Sequence, residues 1–169
     1  MFYLEDYMKT VAVIVLLSCC AFGQDKAAES AADAACGPSD VDFEVHIDAS
    51  AHPRPVPEMG KAVIYVVQKA SSFATRFGID GKWVDALKRN TYLSAPIEPG
   101  EHHLCAMGPS GDFNFVSLHG LNAKANMTYY FTVHVLHGEV YYDYSLSPTD
   151  ADEGKYLVAG AKLSISHPK

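Results

Sequence analysis

The chain has 169 residues, 49% of them hydrophobic, and a formal net charge of -7. That length fits one domain behind a targeting segment, and the composition is that of a globular protein rather than a disordered one. An acidic chain whose longest basic cluster is Lys88-Arg89 excludes a nucleic-acid grip, which needs clustered Lys and Arg.

The first feature in chain order is the apolar run Val11 to Leu17, preceded by the basic Lys9. It is too short to span a bilayer, which takes about 20 apolar residues, and has the length of a signal-peptide core. Glu5 and Asp6 carry the wrong sign for the segment before such a core, which places the true start at Met8. Two processing routes are open. Ala21-Phe22-Gly23 is a small-x-small site, making residues 1–23 a signal peptide; Leu16-Leu17-Ser18-Cys19 resembles a lipobox, which would acylate Cys19. Cleavage after Gly23 leaves Cys36 and Cys105, an even pair suited to a disulfide in an oxidising compartment, whereas acylation at Cys19 leaves Cys20 over. Either route exports the chain. It goes to the periplasm or the medium, or to the outer membrane as a lipoprotein held only by its lipid.

Residues 24–37 are rich in alanine with nothing large to bury, and read as a flexible linker or frayed helix; residues 38–169 then form a single domain. Val41 to Asp48 alternates as a half-buried strand. Pro53, Pro55 and Pro57 cannot feed a central ladder, so that stretch is an extended loop or sheet edge. Lys61 to Gln68 is apolar on both faces and predicts a central strand. Phe73 to Ile79 is a weaker strand, joined by the hairpin signal Asp80-Gly81 to a return strand from Lys82. Short strands follow at Asn90 to Ala95, His102 to Met107, Phe113 to Leu118 and Leu121 to Ala125. Met127 to His137 puts Met127, Tyr129, Phe131, Val133 and Val135 on one face, and Val140 to Leu146 is its hairpin partner. The one helix is expected after Ser147-Pro148-Thr149-Asp150, with Asp152 and Glu153 in its first turn, and Leu163 to Ile165 adds a last strand. About 7–9 short strands with one short C-terminal helix predict an all-β fold, a single β-sandwich.

Four phrases recur in an order met elsewhere. They are Gly60-Lys61-Ala62-Val63-Ile64-Tyr65-Val66-Val67, Ile79-Asp80-Gly81-Lys82-Trp83-Val84, Glu98-Pro99-Gly100-Glu101-His102-His103-Leu104 and Met127-Thr128-Tyr129-Tyr130-Phe131-Thr132-Val133. The pattern, over residues 58–146, resembles a family of small exported bacterial domains of unknown function, many of them lipoproteins, and the PEGA-type sandwich modules of envelope proteins. The resemblance implies an Ig-like or PEGA-like β-sandwich and an envelope location. It carries no catalytic residues.

The residues themselves give three candidate chemistries. Cys36 and Cys105 read as a disulfide that pins the start of the domain to a strand. His102, His103 and Met107 are metal-ligand types, with His103, Cys105 and Met107 on one strand face; a flat strand spreads such groups rather than converging them. Tyr130, Tyr142 and Tyr144 offer amphipathic area for a binding surface if exposed. No Gly-x-Ser-x-Gly elbow or phosphate loop is present, and Asp150, Asp152 and Glu153 suit helix capping. The expectation is a non-enzymatic binding or structural module of the cell envelope that needs no cofactor. Its partner would be an envelope protein, a glycan or a cell-wall component. The alternatives are a small secreted enzyme with an unrecognised site and a periplasmic metal-binding protein.

Overall fold

Every residue from Ala62 to Gln68 is buried. An apolar run on both faces is satisfied only where a strand has neighbours on each edge and cover above and below. The computed structural model, which describes residue 26 and residues 30–50, 57–71, 73–109, 116–137 and 142–169, places this strand inside a sheet. In chain order the elements are a helix α1 over residues 30–36, then β1 (Phe43–Asp48), β2 (Ala62–Gln68), β3 (Thr75–Ile79), β4 (Lys82–Leu87), β5 (Thr91–Ile97), β6 (Gly100–Met107), β7 (Val116–Ala123), β8 (Thr128–His137), β9 (Tyr142–Thr149), α2 (Ala151–Ala159) and β10 (Lys162–Pro168). The strands form a six-stranded sheet, β1-β10-β5-β2-β8-β9, and a four-stranded sheet, β4-β3-β6-β7. Most pairs are antiparallel; β2–β8 and β10–β5 are parallel. Residues 32–169 make one compact unit.

The two sheets share one core. Ile64 and Val66 of β2, Leu93 of β5, Phe131 and Val133 of β8 and Leu146 of β9 face Phe77 of β3, Leu87 of β4, Leu104 and Ala106 of β6 and Ala123 of β7. Both outer faces are also covered. Across β2, β5 and β8, Val63, Tyr65, Val67, Tyr92 and Tyr130 pack under Leu157 and Val158 of α2. On the other sheet Cys105 and Met107 of β6 pack with Ala35 and Cys36 of α1 and with Trp83. Cys36 and Cys105 are joined by a disulfide, with Cα atoms 5.2 Å apart.

Local chemistry explains the punctuation. Asp80 and Gly81 have φ of 51° and 74°, the left-handed pair that a two-residue hairpin needs. The Asp150 carboxylate accepts from the N–H groups of Asp152 and Glu153 at 3.0 Å each, which starts α2. Gly154 sits on the buried side of that helix, where a Cβ would run into the Tyr130 ring. The gaps between the sheets are bridged by serines. At one seam Ser164 Oγ donates to Ala86 O at 2.6 Å and Ser166 Oγ accepts from Ala86 N–H at 2.9 Å. At the other, Ser117 Oγ accepts from Leu146 N–H at 2.9 Å.

Several expectations are corrected. Ten strands and two short helices are present among the described residues, against seven to nine strands and one helix. Of the two states expected for the alanine-rich stretch, flexible linker or frayed helix, its second half is helical as α1, and Ala32 and Cys36 in it are buried. The two strands expected around Gly120 are one: Gly120 pairs with His103 and the ladder runs through it. β9 continues through Pro148, which an edge strand tolerates. Tyr144 is not exposed; its strand alternates Tyr144 and Leu146 inward with Asp143, Ser145 and Ser147, and it is 5% exposed with its ring against Gly108. The signal segment 1–23 with Met8 and Cys19, the linker residues 24–25 and 27–29, Pro53 and Pro55, residues 110–115 and the turn at 138–141 lie outside the described residues, as does the Tyr142 side chain.

Candidate functional site

The outer face of the six-stranded sheet is only partly roofed. Tyr65 and Tyr130 stack under α2 with ring centroids 5.3 Å apart. Further along β8 the same face carries Thr132, His134 and Leu136, opposite Ser147, Ser145 and Asp143 of β9. Where the roof stops, a cavity of about 330 Å³ opens, lined among others by Lys69, Thr132, His134, Leu136, Glu153 and Leu157. Thr132 and Thr149 hydrogen-bond to each other at 2.8 Å across its floor. His134 is exposed and Leu136 is 61% exposed. Lys69 Nζ lies beside Gly160, at the C-terminal end of α2, whose last turn has no basic residue of its own. The ammonium therefore answers the negative end of the helix dipole as well as facing the cavity. The lining offers a cation, a carboxylate, an imidazole and two hydroxyls beside aliphatic residues that include Leu136 and Leu157.

The residues expected to hold a metal are not brought together for it. Cys105 is in the disulfide. The Met107 sulfur is buried and accepts from an Arg76 guanidinium N–H at 3.0 Å. His103 is exposed, while His102 turns to the Asp80-Gly81 hairpin. Among the described residues no group of three or more His, Cys, Asp or Glu is placed to bind a metal ion. Of the tyrosines, Tyr130 lies under α2 on the outer face of β8, and Tyr144 is buried on the inner face of β9.

His102 has a structural task. Its Nδ1 meets Asp80 Oδ2 at 2.7 Å and its Nε2 meets the Glu98 carbonyl at 2.7 Å. Asp80 Oδ1 accepts the His103 N–H at 2.8 Å. Both ring nitrogens face acceptors, so the doubly protonated imidazolium fits best. Burial is the largest single influence on His102 and opposes that charge. The bonds to Asp80 and the Glu98 carbonyl outweigh it and raise the pKa above 6.5. Asp80 likewise resists burial through its bonds from His103 and His102 and falls below 3.8.

The folded state thus gains from protonated His102 in full below pH 6.5 and loses that gain as pH rises through the higher folded value. The Asp80 gain is lost as pH falls below 3.8. His102→Gln is therefore expected to cost about 1 kcal/mol near pH 5, screened because Asp80 is half exposed, and less near pH 9. Urea midpoints of both proteins at the two pH values check this, and an equal gap at both would count against it.

Compared with known proteins, the chain matches no family model, no curated protein and no solved structure.

Proposed function

We propose that this chain is an exported, non-enzymatic binding module of the cell envelope. Its ligand is a cell-wall glycopeptide, bound in the cavity between α2 and the open face of β8 and β9. The observation that carries this reading is the lining itself. Lys69 and Glu153 supply opposite charges for a ligand bearing both carboxylate and amine, His134, Thr132 and Thr149 supply donors and acceptors for hydroxyls, and Leu136 and Leu157 supply apolar surface for a sugar or alkyl face. The signal-like run Val11 to Leu17 and the Cys36–Cys105 bond support export to an oxidising compartment. We read the two-sheet fold as a β-sandwich of the PEGA or Ig-like kind.

The test is an amide NMR titration of the mature protein with soluble peptidoglycan fragments. Shifts are expected on the outer residues of β8 and β9 and on the first turn of α2. Glu153→Gln with His134→Ala should weaken binding about tenfold, equivalent to about 1.4 kcal/mol. A titration into the millimolar range that moves no resonance, or moves only residues far from this face, overturns the reading.

A further inference from the structure

The six-stranded sheet ends at β1, and among the described residues no strand pairs with its outer edge. The seams at β4/β10 and β7/β9 are bridged by serines; β1 carries no proline, lysine or bulge to blunt it. Its hydrogen-bonding direction can be read from its lead-in. Lys169 N–H donates to Asp42 O at 3.0 Å, so in an antiparallel ladder residues 42, 44, 46 and 48 turn their main-chain groups toward β10. Pro168, which has no N–H, stands opposite Phe43, as this alternation requires. Phe43, Val45 and Ile47 therefore direct their N–H and C=O groups outward.

We propose that this edge joins two copies of the chain, β1 against β1, antiparallel, with Val45 opposite Val45 on a two-fold axis. An isologous contact is the simplest way for one edge to satisfy itself. Three registers near the centre of the strand set outward-facing residues against each other. Centring on Glu44 places two carboxylates together. Centring on His46 places Glu44 against Asp48. Centring on Val45 uses all three outward residues of each copy, for about four main-chain bonds, since the Phe43 N–H is held by Asp42 Oδ1 at 2.9 Å, and sets Glu44 opposite the other copy's His46 twice. In this strand Glu44 and His46 already share a face and approach to 3.6 Å. The same register sets Ile47, 46% exposed, opposite Phe43 on the inner face. At the ends Asp42 meets Asp48, but Asp42 is held by Lys169 Nζ at 2.9 Å, which brings an ammonium to that corner.

Sedimentation of the mature, oxidised protein from micromolar to millimolar concentration tests this. A reversible dimer is expected. Glu44→Lys should weaken it at least tenfold, and adding His46→Glu should restore it, because the two facing positions then pair an ammonium with a carboxylate in both halves. Val45→Pro, which removes an outward N–H and leaves the bonds to β10, should give a monomer with an unchanged circular dichroism spectrum. A wild type that stays monomeric throughout overturns the proposal. So does a dimer that survives both Glu44→Lys and Val45→Pro, since it uses another surface.

Discussion

Arg76→Met is expected to lower the stability of the fold by about 3 kcal/mol, read as a fall in the urea midpoint with an unchanged slope. Arg76 is the second residue of β3 yet is 3% exposed. One terminal nitrogen donates to the carbonyls of Ser39 and Val41 at 2.7 Å each. The other donates to Gly108 O at 3.1 Å and to the Met107 sulfur. The guanidinium also lies 4.8 Å from the centroid of the Trp83 ring. Burial lowers its pKa, and the charge of Asp42 partly compensates. Methionine would match the stem but strand three carbonyls that the folded chain has already turned inward. A loss under about 1 kcal/mol would mean that water reaches those carbonyls and that the fork is dispensable.

Replacing Cys36 and Cys105 together by alanine is the other large effect, about 4 kcal/mol in the chain-entropy relation for a separation of 69 residues. Both residues are fully buried, so the bond should resist mild reductants in the native state. Trp83, the chain's one tryptophan, donates its Nε1–H to Pro38 O at 2.7 Å next to the bond, and its fluorescence should report release of α1. If the double variant unfolds within about 1 kcal/mol of the wild type, packing of Ala32, Ala35 and Cys36 rather than the cross-link holds the helix.

How legible this was in the sequence depended on whether the deciding forces were local. The buried run of β2, the Asp80-Gly81 turn and the Asp150 cap each rest on a few adjacent residues, and each stands where the pattern put it. The Cys36–Cys105 pair followed from counting cysteines. Burial decided from a distance was not legible. Alternation along Tyr142 to Thr149 shows that Tyr144 and Leu146 share a face, but the four-stranded sheet across the core settles that this face is inside. Arg76 looks like any strand-borne surface charge until the segment before β1 folds over it. Alanine-rich α1 carries no apolar stripe of its own, and its place comes from one cystine and from Gly78 and Gly81. A Cβ on either would strike the α1 backbone at 2.6 Å. The cavity beside α2 is built from four separate stretches, so no short motif could announce it.

The staple also decides how the compact unit would carry a mechanical load. Tension applied at the chain ends enters at Cys36 and crosses at once to Cys105, bypassing everything between. Strands β1 to β5 lie wholly inside that closed loop, so none of them can be drawn out along the chain, although load still reaches them through the ladders to β8 and β10. About 230 Å of contour, 69 residues at about 3.4 Å each, is withheld from stretching for as long as the sulfurs stay joined. Within the compact unit, extension is confined to the side beyond Cys105, where β7 to β10 lie, and β10 is the strand that would be peeled from β1 and β5.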